Sequence, residues 1–229
     1  MSKSNHKRNL IIIAVAVFIV ACTVTVPLAV RAGVVPKPIC VIALDAGHGG
    51  IDAGVTGKIT GVRESDLNLA IVRKIEAYLL SAHVGVVLTR KDDAGLYGTT
   101  APGFKRRDME KRAEIIAAAR ASAAVSIHMN YYAPSATRRG CQVFYNGDSE
   151  ASSNFGVLMQ DILNKRVNAS ENGRLYDAVA GDYYIVREVV CPSIIVECGF
   201  LSNPIDERLL TTEEYQNKIA YHIFSGIMA

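Results

Sequence analysis

VIALDAGHGG, residues 41–50, sets an apolar run directly before an aspartate and a histidine boxed in by glycines. The run from Val41 suits a buried strand, and Asp45 stops it. Gly47, Gly49 and Gly50 flank His48, and glycines let a loop take dihedrals closed to other residues and approach a ligand closely. The usual guest of such a loop is a phosphate. The dinucleotide fingerprint fails, because Asp52 stands where G-x-G-x-x-G needs its third glycine. The phosphate-loop pattern fails too: Gly57-Lys58 continues with Ile59 and lacks a glycine five residues before Gly57. An imidazole at a strand exit calls for other chemistry.

Outward from this stretch the pattern alternates. SDLNLAIVRKIEAYLL (65–80) carries Leu67, Ile71, Ile75 and Leu79 at four-residue steps, the spacing of a helix with one apolar face. VGVVLT (84–89) returns to strand character, and the polar, glycine-containing stretch that follows to Arg107 is too long for a plain connector. Residues 108–121 read as helix, 124–129 and 140–145 as strands, and 152–167 as a helix with Phe155, Leu158, Met159 and Ile162 on one face. YYIVRE (183–188) and PSIIVE (192–197) read as further strands, before a last helix opened by the capping box Thr211-x-x-Glu214. Strands separated by helices predict one α/β domain with a mostly parallel central sheet covered by helices on both faces. In such sheets, sites gather at the carboxyl ends of the strands.

The 229 residues are enough for one such domain plus an appendage. The appendage is amino-terminal: Lys3, Lys7 and Arg8 precede Leu10 to Val30, which carries no charge. As a helix those residues would extend roughly 30 Å, the thickness of a bilayer core, and preceded by an apolar helix of this kind the domain is expected outside the cytoplasm. Three fates fit the sequence: a retained anchor through residues 10–30, a signal segment cut after Ala32, or a lipoprotein acylated at Cys22. The expected organisation is a basic amino terminus with the membrane segment at 1–34, a proline-containing linker at 35–39 and the domain at 40–229. Residues 1–34 hold four of the 25 basic residues and none of the 22 acidic ones, so the remainder carries 21 against 22, a net of −1. With no basic stripe interleaved with aromatics, nucleic acid is not an expected partner. The five cysteines show no C-x-x-C spacing, and Cys40, Cys141, Cys191 and Cys198 lie in or beside apolar runs, as structural thiols do.

The strand-end rule brings distant residues to one edge. His48 follows the first strand, His128 ends AVSIH, and Glu197 ends PSIIVE, while Glu64 stands just before the first helix. Two histidines and a carboxylate are a familiar protein ligand set for catalytic zinc, with one position left open, and a further carboxylate would serve as a base. A lone histidine at a strand end is more often structural, and Glu64 could simply favour a helix amino terminus. Glu197 is harder to explain that way, because SIIVECGF surrounds a carboxylate with apolar neighbours. His6, His83 and His222 fit a basic terminus, a turn and a surface helix. Asp45 and Asn130 are candidates to orient imidazoles or substrate from behind, Asp45 equally as a turn former. Arg90 and Arg107 could face acidic groups of a substrate or lie in solvent.

DAGHGGIDAG, the following Glu64, SIHMN and IIVECGFLSN, in this order, resemble the successive signatures of the zinc-dependent N-acetylmuramoyl-L-alanine amidases. The resemblance runs from about Cys40 to the carboxyl terminus and departs at Ala46, where proline is usual. It implies a single α/β domain, zinc held by His48, Glu64 and His128, Glu197 as the catalytic glutamate, and peptidoglycan as substrate. The one catalytic domain behind an apolar helix, with the stretch GLYGTTAPGFKRRDMEKR, is most similar to the germination-specific cortex amidases of spore-formers. That subgroup implies a role in muramic-δ-lactam formation in the forespore intermembrane space, and an accessory or activating protein is a compatible partner. A vegetative wall amidase, a tethered peptidoglycan-binding protein with a dead site, and a zinc hydrolase of another amide are the competing readings.

Overall fold

The computed structural model describes Pro38 and residues 40–229, so the apolar segment, Cys22 and His6 lie outside the described residues. Among the described residues no helix is long and apolar enough to cross a membrane. The chain runs β1 (Val41–Ala46), α1 (Glu64–Ser81), β2 (Gly85–Leu88), α2 (Phe104–Ala118), β3 (Ala123–Asn130), β4 (Gln142–Tyr145), α3 (Glu150–Leu163), β5 (Val179–Ala180), α4 (Tyr184–Arg187), β6 (Ser193–Phe200), α5 (Pro204–Leu210) and α6 (Glu213–Ile227). The sheet order is β2-β1-β3-β6-β4-β5. Pairing is parallel throughout except between β4 and β6.

Alternation along the strands divides the core in two. Ile42, Leu44 and Ala46 of β1, Val125, Ile127 and Met129 of β3, and Ile194, Val196 and Cys198 of β6 join one cluster with Ile71, Ile75 and Leu79 of α1, Met159 of α3, and Ile219 and Ile223 of α6. The intervening Ala43, Ala124 and Ile195 face the opposite side, against Ile116 of α2 and Ile185 and Val186 of α4. The period of two along each strand thus covers both faces of the sheet with helices. Ile71, Ile75 and Leu79 have no exposed surface, so truncating any of them to alanine costs about 2–5 kcal/mol.

Local signals explain the boundaries. α1 opens with Glu64 and Asp66 in its first turn, where carboxylates complement the helix dipole. α2 begins at Phe104, four residues before the expected start, because Gly103 takes a left-handed conformation (φ 82°) and turns the polar stretch into the helix. Residues 184–187 form one helical turn where a strand was expected, with Ile185 and Val186 seated on the sheet. The cap of α6 is Thr212, whose hydroxyl accepts from the Tyr215 N–H; Thr211 donates instead to the Arg208 carbonyl. α5 was not expected. It follows Asn203, whose side chain accepts from the Ile205 and Asp206 N–H groups, with Pro204 at its first position.

Candidate metal centre

β3 and β6 run side by side, and their register sets His128 opposite Glu197. Both lie on the face that carries Ala124 and Ile195, at the carboxyl edge of the sheet. β1 delivers His48 to the same edge, while Glu64 reaches it from the start of α1. His48, Glu64 and His128 place one potential ligand atom each within 4.8 Å of one another. His48 Nε2 lies 3.2 Å and His128 Nδ1 3.0 Å from the same oxygen, Glu64 Oε1, and the two rings meet edge to face with centroids 5.0 Å apart.

This convergence depends on two glycines. A Cβ on Gly47 would fall 2.1 Å from His128 Cε1, inside its ring. A Cβ on Gly54, which sits at φ +66°, would fall 2.4 Å from Glu64 Oε2 and 2.8 Å from His48 Cδ2. The glycines therefore make room for the imidazoles and the carboxylate themselves, rather than for a phosphate.

Glu64 is anchored at both oxygens. Oε2 accepts from the Val55 N–H at 2.8 Å, and Oε1 from the Met129 N–H at 3.1 Å. Burial opposes its charge, but the His128 and His48 imidazoles outweigh that and hold its carboxyl far below the ordinary range. His48 Nδ1 lies 2.9 Å from Asp52 Oδ2. Burial pulls the His48 pKa down, yet Asp52 and Glu64, facing its two ring nitrogens, raise it to about 9. Asp52, held at about 2 chiefly by its hydrogen bond with His48, also meets Lys105 Nζ at 3.2 Å. The pocket is thus built to hold positive charge, and two imidazoles with a carboxylate are the donor set zinc prefers. The residues fit the ion.

Glu197 stands apart from this network. Its Oε2 is buried and has no hydrogen-bond partner among the described residues. Burial, helped by Glu64 and opposed by His128 and His48, pushes its pKa up to about 7. A cavity of about 180 Å³, bordered by Asp52, Lys105 and Met109, opens beside His48 and His128.

The other candidates make no hydrogen bond to either imidazole, although Asp45 also borders the cavity. Asp45 touches neither imidazole: Thr89, Ser126 and Arg112 take its oxygens beneath the loop, because its side chain leaves β1 toward α2. Asn130 accepts from the Leu201 N–H through its backbone carbonyl and makes no side-chain hydrogen bond among the described residues. Arg90 is buried against loop carbonyls, and Arg107 binds the carbonyls of Tyr97, Thr99, Ala101 and Pro102, so both are engaged by backbone. Asp52, the partner of His48, was missed; its only sequence signal is a carboxylate four residues beyond a histidine in a glycine loop. Cys40, Cys141, Cys191 and Cys198 are free thiols, with Cys141 and Cys198 fully buried.

Comparison with known proteins places the chain in a family. Residues 42–229 match the family model described as N-acetylmuramoyl-L-alanine amidase. The germination-specific N-acetylmuramoyl-L-alanine amidase of Bacillus subtilis (strain 168) is 34% identical over 192 residues, covering 82% of this chain and 78% of that protein. Among solved structures, the CwlD amidase from Clostridioides difficile, in complex with the GerS lipoprotein, superposes with a TM-score of 0.76 at 37% identity, covering 82% of this chain and 96% of that one. The N-acetylmuramoyl-L-alanine amidase from Clostridium difficile 630 gives a TM-score of 0.73 at 28% identity, over 84% of this chain and 96% of that one.

Proposed function

The chain belongs to the N-acetylmuramoyl-L-alanine amidase family, and from that premise we propose that it is a zinc-dependent enzyme of spore cortex maturation. Its activity is that of a peptidoglycan amidase, breaking the amide between N-acetylmuramic acid and L-alanine. The convergence of His48, Glu64 and His128 on one point, with Glu197 beside it in register, is the observation that carries the metal reading.

Zinc held by His48, Glu64 and His128 would supply a Lewis acid for the scissile carbonyl and for water at neutral pH. The rest falls to this chain. Asp52 orients the His48 ring through Nδ1, leaving Nε2 toward Glu64. The Val55 and Met129 N–H groups fix the Glu64 carboxylate. Glu197 accepts a proton from the attacking water on its unpartnered oxygen as the water oxygen bonds the carbonyl carbon. It then delivers that proton to the alanine nitrogen as the C–N bond breaks, so the peptide leaves as an amine. Burial that raises the pKa of the Glu197 carboxyl favours its holding the proton between the two transfers.

The cortex role rests on the likeness to the germination-specific relative and to the CwlD amidase. In that setting the peptide-free muramic acid is the precursor of muramic-δ-lactam. The GerS complex of the CwlD amidase supports a lipoprotein partner for this chain as well. We place the domain outside the cytoplasm, anchored or exported by residues 10–30. Mass spectrometry of peptidoglycan treated with the full chain and zinc tests the reading. Stem peptides with a free alanine amino terminus are expected, zinc chelation should abolish their release, and cortex from cells lacking the protein should lose muramic-δ-lactam. Products that all keep the peptide on the sugar would refute it.

A further inference from the structure

His48 is one of four described residues other than glycine with positive φ, at 61°, a conformation that L-residues adopt rarely. Something beneath the loop must hold it there. Three successive carbonyls, those of Ala46, Gly47 and His48, turn inward toward buried donors. Ala46 O accepts from Arg90 Nε at 2.8 Å and from Arg112 Nη1 at 2.7 Å. Gly47 O accepts from Asn68 Nδ2 at 3.0 Å and Arg90 Nη2 at 3.2 Å. His48 O accepts from Arg112 Nη2.

Arg112 is the keystone of this arrangement and only 1% exposed. The same guanidinium binds Asp45 Oδ1 and Asp108 Oδ2, each at 2.6 Å. Asp108 in turn accepts from the Leu96 N–H, tying in the long loop before α2. A planar fork with five fixed donors can satisfy two carboxylates and two carbonyls together; a lysine ammonium has three donors and no such plane. Burying two arginines under a turn of three residues is more than that turn needs to close. It is what fixing the direction of one imidazole needs.

We infer that Arg112, seconded by Arg90, is a positioning residue for the metal centre: it fixes the backbone of His48 so that the ring meets Glu64 and His128. The inference rests on the zinc reading of that centre. An outer partner that orients a ligand is worth 10–100-fold in metal affinity, whereas a purely structural ion pair alters stability alone.

The test titrates Zn²⁺ into the full chain against a chromophoric chelator, for wild type, Arg112→Lys and the control Arg139→Lys. Arg139 pairs with Asp206 at 3.2 Å and makes no hydrogen bond to His48, Glu64 or His128. Thermal unfolding of the metal-free proteins is recorded alongside. Arg112→Lys is expected to bind zinc about 10–100-fold more weakly, while Arg139→Lys loses thermal stability and keeps wild-type affinity. Should Arg112→Lys fail to fold, Asp108→Asn leaves Arg112 in place with a weaker hold, and a several-fold loss of affinity is expected. Wild-type affinity in the folded Arg112 variant, or in Asp108→Asn if that variant must stand in, overturns the inference, as does equal weakening in the Arg139 control. Absence of zinc binding by the wild type overturns the metal reading beneath it, and the inference with it.

Discussion

Glu64 and Glu197 are two carboxylates at one sheet edge, Glu64 buried and Glu197 half-buried, and they are treated in opposite ways. Glu64 has two backbone N–H partners and two imidazoles, which keep it charged. Glu197, opposite His128 in register, leaves a buried oxygen without a partner among the described residues, and burial pushes its pKa up to about 7. Holding a cation requires negative charge fixed in advance, with its desolvation already offset by hydrogen bonds. Passing a proton requires two protonation states close in energy at the working pH. The same side chain serves either task, and its hydrogen bonds decide which.

Swapping each carboxylate for its amide breaks the comparison most sharply at Glu197. Glu197→Gln keeps shape but accepts no proton, so turnover is expected to fall by about 10²–10⁴-fold while zinc content stays at the wild-type level. Muropeptide release at the wild-type rate would remove Glu197 from the proton path. Glu64→Gln is expected to fail at the earlier step, with zinc affinity reduced by about 100-fold or more, beyond what an outer partner is worth. Chelator competition measures it, and excess zinc should restore part of the activity of Glu64→Gln but none of Glu197→Gln. The opposite rescue pattern would exchange their roles.

A smaller effect separates the carboxylates of the centre from the one beneath it. Burial pushes the Asp45 carboxyl up, but Arg112, Ser126 and Thr89 outweigh it and hold it at about 2. A carboxyl lowered on folding stabilises the protein above its unfolded pKa, near 3.8, and that contribution is lost as pH falls toward 2. The amount is about 2 kcal/mol, read as extra acid sensitivity in urea unfolding between pH 5 and 2. Asp45→Asn should flatten that part of the profile; an unchanged slope would show that Asp45 ionises alike in folded and unfolded chains.

The elements that the sequence disclosed are those with long, regular burial. β1, β3 and β6 are apolar runs covered on both faces, and α1 repeats its buried residues every turn, so composition and period speak together. Residues 183–188 misled because a short β-branched, aromatic run fits a strand and a buried helical turn equally, and contact with the sheet decides between them. α5 did carry its signal, an asparagine followed by proline, but seven residues hold too little periodicity to attract notice. At the site, His48, Glu64, His128 and Glu197 were legible because each closes or opens an element at one edge. Asp52, Arg90 and Arg112 were not. A charged residue in a loop or on a polar helix face is expected in solvent, and only the assembled fold reveals a set of inward-turned carbonyls for it to meet.

The wide spacing of the residues at this edge also bears on the order in which the protein is made. His128 reaches Glu64 across 64 residues of chain, and Ser126 reaches Asp45 across 81. Such contacts close late, since each demands the entropy of a large loop before it returns any stability. An unfolded chain would therefore offer a passing ion scattered single donors, each too weak to capture it. The three come together only once β1, β3 and α1 have docked. On the zinc reading proposed above, the ion would enter a finished protein, and its contribution would fall on the rate of unfolding rather than on the search for the fold.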